Sequence, residues 1–321
     1  MKDQRKRRIK LRDFALYATS CPICQTDGNA AELYGANFSR EDLNPVVFSA
    51  RRLPDRLHYR IVKCSSCGLV RADPVAAAEL LAELYADSAF AYGDEVDGLK
   101  RTYGRYLDKL EKRQRRKESL LEIGCGNGFF LEQAMARGYA EVRGVEPSAA
   151  AVGRASAGVH PHIVCDLMRP GLFEADTFDV ICLFQVFDHI ADPLALLGEC
   201  RRLLKPDGLM LFINHNVQAV SARLLKERSP IVDIEHTFLY DPETMSRLLE
   251  KCDFHIEETG RVLNTYSVYY LYHLLPVPAV LKSALLYILK ASGLGRLQLR
   301  VPLGNLYVIA GLARRGDAAQ L

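Results

Sequence analysis

The chain has 321 residues, of which 49% are hydrophobic and 25% are charged, as in an ordinary soluble globular protein. This length allows one large domain and a smaller module. The net charge of +3 is uneven, because residues 1–12 and 101–117 each carry +6 and leave −9 (3 − 12) for the rest. Such basic runs are usually solvated surface, although they also suit phosphate, an anionic membrane or an anionic substrate.

The sequence favours a cytoplasmic protein. No apolar stretch of about 7–15 residues follows the basic N-terminus, so we expect no signal peptide. The most hydrophobic window, residues 266–289, is interrupted by His273, Pro276, Pro278 and Lys282, whereas a membrane-spanning helix needs roughly 20 apolar residues with few breaks. Five of the nine cysteines stand singly in apolar or glycine-rich runs, which is typical of reduced thiols.

The other four cysteines form two CxxC pairs, Cys21 with Cys24 and Cys64 with Cys67, separated by 39 residues. Two such turns present four thiolates, which predicts a tetrahedral zinc site with no open position and therefore a structural role. Gly68 suits a tight turn in which backbone N–H groups face the sulfurs. A disulfide or redox role is the alternative, and it fits the remaining thiol-rich sequence less well.

Beyond the cysteines, Asp73 and Pro74 predict a helix start as N-cap and first helical residue, and a second helix is predicted over about 98–116. From Ser119 onward, short apolar runs alternate with helical patterns. Such strands, apolar on both faces and separated by helices, predict an α/β fold with a doubly wound parallel sheet. The predicted strands are 119–123, 142–146, 161–166, 178–186, 208–213, 254–259 and 305–313, and the predicted helices between them are 128–137, 148–157, 193–204 and 241–252.

The segment LLEIGCGNGFF places a glycine loop after the first of these strands. Gly124, Gly126 and Gly128 allow a sharp turn and close approach of a ligand, which in such sheets binds outside the carboxyl ends of the strands. A dinucleotide fingerprint, GxGxxG, would require glycine at 129, where this chain has Phe129. Glu122, just before the loop, would repel a pyrophosphate, so a cationic ligand fits better.

Acidic residues also end the next two predicted strands. Glu146 follows Gly128 by 18 residues, and Asp166 follows Glu146 by 20. A carboxylate at the first position can accept both hydroxyls of a ribose, each bond contributing about 1.5–3 kcal/mol, and one at the second can accept from an adenine amine. With Glu122, they predict three carboxylates converging on one cleft for an adenosine that carries a sulfonium and an amino acid.

Residues from about 118 to 215 resemble the class I S-adenosylmethionine-dependent methyltransferases. The similar segments are LLEIGCGNGFF, VRGVEPS, VCDL, FDVICLFQVFDHIADP and LLKPDGLMLFI. The resemblance implies a Rossmann-like, seven-stranded methyltransferase sheet and S-adenosylmethionine as cofactor, with the glycine loop and Glu122 at the methionine end, Glu146 at the ribose, Asp166 at the adenine, and Phe184 and Gln185 near the sulfonium. The complete set of implied cofactor-binding residues is Glu122, Gly124, Cys125, Gly126, Asn127, Gly128, Phe129, Glu146, Pro147, Asp166, Leu167, Phe184 and Gln185.

The cysteine module followed by LYADSAF is similar to methyltransferases that modify sugars, polysaccharide ends or secondary metabolites. This resemblance implies a small-molecule, glycan or lipid-linked acceptor, with O-methylation as the expected reaction. The family commonly has Glu-His where this chain has Asp188 and His189. We divide the chain into a basic tail (1–14), a zinc-ribbon module (15–72), a helical connector covering the cofactor site (73–117), and the methyltransferase domain (118–315).

For a hydroxyl acceptor, a general base with a pKa near 7 would assist the transfer, while orientation alone can supply roughly 7–11 kcal/mol. The candidates are His189, His236 and His215. His189 and His236 are the preferred catalytic residues because both are expected at the pocket mouth. Each could instead be a packing or supporting histidine.

About 45 residues rich in Tyr and Leu separate the last two predicted strands, and we assign residues 260–304 to an insertion. A segment this long is usually functional. It could be a lid over an aromatic or lipid-linked acceptor, an amphipathic surface that contacts a membrane, or a helical pair packed on the sheet.

RNA methylation is the competing hypothesis, because a ribbon and basic runs also suit RNA. Against it, the fourth strand ends in FQVFDH rather than in the Asn/Asp-Pro-Pro-aromatic box of enzymes that methylate base amines. No basic stretch interleaved with aromatic residues supports stacking on a nucleic-acid strand. A non-enzymatic binding subunit is a third alternative, and the sequence sets neither the acceptor atom nor the oligomeric state.

Overall fold

A computed structural model describes residues 15–39, 42–44, 47–48, 55–88, 96–113, 116–274 and 279–313. The predicted basic tail, 1–14, lies outside the described residues. The strands are β1 (Leu16–Tyr17), β2 (Ala30–Tyr34), β3 (Ile61–Cys64), β4 (Val70–Ala72), β5 (Val75–Ala76), β6 (Ser119–Ile123), β7 (Glu141–Val145), β8 (Ile163–Val164), β9 (Phe178–Phe184), β10 (Leu204–His215), β11 (Phe238–Leu239), β12 (Phe254–Arg261), β13 (Asn264–Ser267), β14 (Gln298–Val301) and β15 (Asn305–Leu312). The α-helices are α1 (Ala78–Ala86), α2 (Val96–Glu111), α3 (Phe129–Ala136), α4 (Ala149–Val152), α5 (Pro193–Leu203), α6 (Val220–Leu225), α7 (Pro242–Lys251), α8 (Val268–Leu274) and α9 (Ala279–Ala291).

The central sheet has seven strands in the order β12-β15-β10-β9-β6-β7-β8. Strands β6 to β10 pair in parallel, whereas β15 is antiparallel to both β10 and β12. The predicted α/β class and its seven strands are confirmed, but the sheet is mixed rather than wholly parallel. The reason is that β15 starts at the edge of the sheet where β12 ends. The chain can therefore return antiparallel to β12 without crossing to the opposite edge.

The sheet is apolar on both faces because alternate residues of its central strands point to opposite sides. On one face, Leu121 belongs to a buried cluster with Leu197 of α5 and Leu248 of α7. On the other face, Leu120 belongs to a second cluster with Phe130 of α3. Helices therefore cover both faces, which leaves the carboxyl ends of the parallel strands as the place for a ligand.

Helix α7 begins where the sequence predicts. The Asp241 side chain accepts a hydrogen bond from the backbone N–H of Thr244, and the Thr244 hydroxyl bonds back to the N–H of Asp241. Pro242 occupies the first helical position, where its missing N–H costs nothing. This capping box satisfies two backbone donors that would otherwise lack partners.

The predicted helix start at Asp73 and Pro74 is wrong, because α1 begins at Ala78. The Asp73 carboxylate instead accepts from the backbone N–H of Thr19 at 2.8 Å and from the Arg60 guanidinium at 3.0 Å. Residues 75–76 form β5 and pair with β1. Tertiary contacts of Asp73 therefore override the local capping pattern that predicts a helix start.

Three strands of the predicted cysteine module, β2, β3 and β4, belong to a four-stranded sheet in the order β11-β4-β3-β2. Strand β11 comes from a distant part of the chain, with Phe238 opposite Arg71 and Leu239 opposite Val70. The backbone N–H of Ala72 also donates to the carbonyl of Thr237 at 2.9 Å. The sheet beside the cysteines is therefore completed by residues that follow His236.

The segment that we predicted as an insertion lies between β12 and β15, the last two strands of the sheet. Strands β13 and β14 pair antiparallel and enclose α8 and α9. Their outer surface is partly apolar, with Tyr287 74% and Ile288 55% exposed. Among the described residues, no helix has the length and apolar content that crossing a membrane requires.

Candidate active site

A cavity of about 1890 Å³ lies at the carboxyl ends of β6, β7, β9 and β10. Gly124, Glu146, Gln185 and His215, which end or follow these four strands, all line it. Sites for drug-sized ligands are typically about 300–1,000 Å³. The cavity therefore has room for a nucleoside cofactor and an acceptor side by side.

The loop between β6 and α3 is one wall of the cavity and depends on its glycines. Gly124 and Gly128 have φ of +74° and +75°, a region that L-residues rarely adopt. A Cβ at Gly124 would lie 2.3 Å from Cγ2 of Val186, and one at Gly128 would lie 2.4 Å from Cγ1 of Val159. The loop thus needs glycine for both backbone conformation and space.

Glu146 lies beside this loop and lines the cavity. Its two carboxylate oxygens accept hydrogen bonds of 2.9 Å from the backbone N–H groups of Gly126 and Ser148. Burial raises the pKa of Glu146, and these two donors oppose the rise. The carboxylate is consequently fixed in position, with lone pairs left for a ligand.

Glu122 is 3% exposed and does not line the cavity. Its Oε2 atom has no hydrogen-bond partner among the described residues. Burial, and then the nearby charge of Glu146, raise the pKa of Glu122 well above its ordinary value. An uncompensated buried carboxyl just before the glycine loop is suited to a cationic ligand, which would offset the cost of ionising it.

We expect Glu122→Gln to raise the melting temperature of the ligand-free protein at pH 8 by a few degrees. In the unfolded chain this carboxyl ionises near its ordinary pKa of 4.5, whereas its pKa in the folded protein is raised, so wild-type stability falls as the pH rises above 4.5. Glutamine carries no such penalty, and about 1 kcal/mol shifts the melting temperature of a domain this size by about 2–4 °C.

Thermal unfolding followed from pH 4 to pH 8 checks this expectation. The difference between variant and wild type should be absent near pH 4 and grow with pH. Glu141→Gln, at an exposed position on the next strand, is the matched control and should change little. A Glu122→Gln protein that melts at or below the wild-type temperature at pH 8 would contradict the assignment.

The remaining predicted cofactor residues divide into two groups. Those that line the cavity, besides Glu146, are Gly124, Gly126, Pro147, Leu167 and Gln185, and those absent from the lining, besides Glu122, are Cys125, Asn127, Gly128, Phe129, Asp166 and Phe184. Asp166 accepts from its neighbour's backbone N–H, on Leu167, and from Arg169, so its carboxylate is turned toward its own loop. The three predicted carboxylates are therefore not all brought to one surface: Glu146 lines the cavity, and Glu122 lies behind it.

Tyr103, on α2, lies between the ring of Phe184 and the cavity. The two rings stack with centroids 4.2 Å apart, and Tyr103 is also stacked on Phe129 at 5.9 Å. Tyr103 lines the cavity, whereas Phe184 does not. Sequence reasoning missed Tyr103 because its helix has the composition of a basic surface helix, and only the aromatic residues within that helix could have signalled a buried face.

At the far end of the cavity, three side chains form what we call the histidine cluster: His189, His215 and His236. The ring centroids of His189 and His236 are 4.8 Å apart, and those of His215 and His236 are 4.5 Å apart. Burial lowers the pKa of His189 to about 3, and burial followed by the charge of His215 lowers that of His236. All three histidines line the cavity, and the structure brings the two predicted catalytic residues together.

Buried polar groups hold the histidine cluster in position. Nδ1 of His215 lies 2.5 Å from Oδ2 of Asp188, and Nδ1 of His189 lies 3.0 Å from the hydroxyl of Tyr85. Burial would raise the pKa of Asp188, but the neighbouring histidines, His215 first, lower it well below the ordinary range. Tyr85, on α1, was missed by sequence reasoning because nothing local relates it to residues about a hundred positions later.

The segment between β12 and β15 supplies the third wall of the cavity. Tyr266 and Tyr270 stack with centroids 5.0 Å apart, and both line the cavity together with Leu271 and Leu299. This wall is largely aromatic and aliphatic, in contrast to the histidine cluster, although Asn264 and Lys282 also line it. The arrangement offers an apolar surface for the body of an acceptor and a polar end for its reacting group.

The four predicted zinc ligands are close together. Cys21, Cys24, Cys64 and Cys67 have their sulfurs within 4.8 Å of one another, with two of the separations at 3.4 and 3.9 Å. Burial would raise the pKa of Cys64, but hydrogen bonds from the backbone N–H groups of Cys67 and Ser66 lower it to about 6. Gly68 has φ of +81° and closes the turn, with its N–H 3.0 Å from the carbonyl of Cys64.

Comparison with known proteins relates the chain to methyltransferases. A family model described as "Methyltransferase domain" matches residues 97–259, which is half of the chain. Ubiquinone biosynthesis O-methyltransferase of Neisseria meningitidis serogroup C is 27% identical over 167 residues, covering 48% of this chain and 69% of that protein. The protein of the same name from Cereibacter sphaeroides is 32% identical over 161 residues, covering 46% of this chain and 65% of that protein.

Among solved structures, similarity is found to a putative methyltransferase from Bacillus halodurans, with a TM-score of 0.47 and 17% identity over 66% of this chain and 100% of that one. A methyltransferase from Archaeoglobus fulgidus gives a TM-score of 0.46 and 18% identity, covering 68% of this chain and 97% of that one.

Proposed function

We propose that this chain, which belongs to the methyltransferase-domain family, methylates an oxygen of a small-molecule acceptor. The methyl donor is S-adenosylmethionine. The observation that carries the proposal is the position of Glu146. Two backbone N–H groups fix its carboxylate after β7, and the same cavity is lined by the histidine cluster, whose His215 ends β10 on the other side of β6 and β9.

The donor set fits the cofactor. We propose that Glu146 accepts the ribose hydroxyls, that Gly124 and Gly126 contact the methionine part, and that Glu122 compensates its positive charge from behind the loop. The unpartnered Oε2 of Glu122 supports this last role, because a buried carboxyl is stabilised by a nearby cation. For the adenine end, Asp166 and Leu167 remain our proposal.

When bound, S-adenosylmethionine supplies an electrophilic methyl group. The acceptor oxygen would take this methyl group, the sulfur would keep the electron pair of the broken bond, and the hydroxyl proton would pass to water. The protein's main contribution is to hold the oxygen in line with the sulfur and the methyl carbon. Tyr103 and Gln185, which also line the cavity, would exclude water from this position.

We propose His189 and His236 as the catalytic residues at the position of the acceptor hydroxyl. Both line the cavity, and their rings are in edge contact. Tyr85 orients His189 through its hydroxyl. An acceptor with a hydroxyl at this end would lie with its body along Tyr266 and Tyr270.

Several observations support a small-molecule acceptor. Two of the similar proteins are named O-methyltransferases of ubiquinone biosynthesis. The matched range, 97–259, includes neither α1 nor the segment between β12 and β15, so the walls that would select the acceptor are supplied by other parts of this chain. The exposed Tyr287 and Ile288 support a peripheral membrane contact if the acceptor is lipid-linked.

RNA methylation, the alternative, is not favoured by the basic stretch on α2. Lys109 and Arg113 both form ion pairs with Glu258, at 2.6 and 2.7 Å, and Arg105 donates to the carbonyl of Leu263. These side chains fasten α2 to the body of the protein rather than presenting free positive charge.

We further propose that the four cysteines bind a structural zinc ion. With Zn–S bonds near 2.3 Å, tetrahedral geometry places sulfurs about 3.8 Å apart, and the 3.4 and 3.9 Å separations bracket that value. Four thiolates leave no open position for chemistry.

The test of the cofactor site is calorimetry with S-adenosylmethionine and S-adenosylhomocysteine. Wild-type protein should bind both, and Glu146→Ala should weaken binding more than a hundredfold, because two charge-assisted hydrogen bonds are lost and each contributes about 1.5–3 kcal/mol. Glu141→Ala, at the exposed start of the same strand, is the control and should bind as wild type does. Unchanged affinity in Glu146→Ala would refute the proposed site.

The acceptor class is tested with a radiolabelled methyl donor. Phenolic compounds, nucleotide sugars and RNA are offered separately to the same preparation. Alkali-stable label on a hydroxyl of the phenolic or sugar acceptors is the expected result, and label appearing only on RNA would overturn the proposal.

A further inference from the structure

We propose that Asp188, His189 and His236 form a binding site for a divalent transition-metal ion beside the acceptor position. These three side chains each offer a ligand atom, and the three atoms lie within 4.8 Å of one another. The site is separate from the four-cysteine cluster and lies in the wall of the cavity. The proposed metal site rests on the proposed function in one respect, which is that the acceptor group is a hydroxyl.

The geometry is close to that of a metal centre. Nε2 of His189 lies 3.6 Å from Oδ1 of Asp188. With metal–nitrogen and metal–oxygen distances of about 2.0–2.1 Å, tetrahedral ligands are separated by about 3.3 Å. A small movement of the side chains would therefore bring both atoms into contact with one ion.

Each proposed histidine ligand is oriented through its other ring nitrogen. Nδ1 of His236 is 2.8 Å from the carbonyl of Ile231, and a carbonyl only accepts, so Nδ1 carries the hydrogen and Nε2 keeps its lone pair. Tyr85 donates to the carbonyl of Glu235 and so accepts from Nδ1 of His189, which again leaves Nε2 as the basic nitrogen. Partners of this kind fix the tautomer and ring position of metal-binding histidines.

The third ligand, Asp188, supplies an independent observation. Its side chain has no solvent exposure, Oδ2 is bound by His215, and Oδ1 has no hydrogen-bond partner in the described part of the chain. A buried carboxylate oxygen without a partner is costly. A cation between Oδ1 and the two imidazoles would remove that cost.

Two imidazoles and one carboxylate select a particular class of ion. This donor set is typical of catalytic zinc and non-haem iron sites with open positions, and here the cavity occupies the open side. An acceptor hydroxyl bound to such an ion would lose its proton to water more readily, because a divalent cation lowers the pKa of a bound oxygen. The oxygen would then attack the methyl carbon as an anion.

The test uses Mn²⁺ as the probe, followed by electron paramagnetic resonance, because thiolate sites favour softer ions and leave Mn²⁺ to oxygen and nitrogen ligands. The full-length protein should bind one Mn²⁺ per chain without cofactor or acceptor. His236→Ala and Asp188→Asn should each weaken this binding at least tenfold. His255→Ala, at an exposed site on β12, is the matched control and should leave it unchanged.

Far-UV circular dichroism and thermal unfolding of every variant show which of them are folded. If Asp188→Asn loses its fold because the residue is buried, His236→Ala alone decides the matter. Absence of Mn²⁺ binding to the wild type, or equal affinity in a folded His236→Ala protein, would overturn the proposal. Since the metal titration needs no methyl transfer, its failure can be told apart from failure of the proposed function.

Discussion

Replacing Cys21 by serine is expected to release the proposed zinc ion and to unfold the cysteine module, residues 15–72. Zinc binding contributes on the order of 10–16 kcal/mol in zinc-finger peptides, which is comparable with the whole stability of a domain, about 5–15 kcal/mol. The strands of the module are short, with β3 and β4 four and three residues long, and the buried cluster around Phe48, Tyr59 and Ile61 would lose the cross-link between the two cysteine pairs. Loss of the Cys21 thiolate alone should therefore unfold the module.

The measurements are metal content and limited proteolysis. Wild-type protein should contain one zinc per chain and resist cleavage in this module, and Cys21→Ser should lose the zinc and be cut there. Cys165→Ser, at an exposed thiol outside the cluster, should retain both properties. Retention of zinc and protease resistance by Cys21→Ser would show that the four thiolates do not form the site.

Substituting Gly124 by alanine is expected to weaken cofactor binding more than a hundredfold. The new Cβ would lie 2.3 Å from Val186, whose branched side chain has little rotational freedom, and a φ of +74° adds about 1–2 kcal/mol of strain. The loop must shift, and with it the Gly126 N–H that fixes Glu146. A loss of about 3 kcal/mol corresponds to more than a hundredfold in affinity.

Gly138→Ala is the control for Gly124→Ala, because it introduces backbone strain without a steric clash. Gly138 has φ of +91°, and beyond its chain neighbours no heavy atom lies within 4 Å of the point where a Cβ would be. It follows α3 rather than facing the cavity. This variant should lose some stability but bind S-adenosylhomocysteine as wild type does. Calorimetry that gave the two variants the same affinity would remove the glycine loop from the proposed site.

Much of the central sheet could be predicted because its strands are recognisable locally. Residues 119–123 and 178–184 are buried throughout, and strands of that kind have continuous apolar runs. Helix α7 was predicted because Asp241 and Pro242 act only on their own helix. Helix α1 was misplaced because Asp73 contacts Thr19 and Arg60 instead, and no local pattern contains that information.

The candidate site was predictable only in part, for a related reason. Gly124 and Glu146 belong to motifs in which sequence spacing sets spatial proximity. Tyr85, Tyr103 and the Asp188–His215 pair reach the cavity from separate elements, and their meeting depends on how helices pack over the sheet. Charge at a strand end also does not reveal the local partner of a carboxylate, and that of Asp166 is Arg169.

The pairing of β11 with β4 has a consequence for how the enzyme would respond to its environment. One short strand joins the thiolate-bearing sheet to the peptide that follows His236. If the proposed zinc ion changes the position of this strand, any effect of zinc on acceptor affinity would be matched by an equal effect of acceptor on zinc affinity. In that case, a chain without zinc would bind the acceptor more weakly, and a saturating acceptor would slow the removal of zinc by a chelator. Trace-metal supply would then regulate methylation without any dedicated effector.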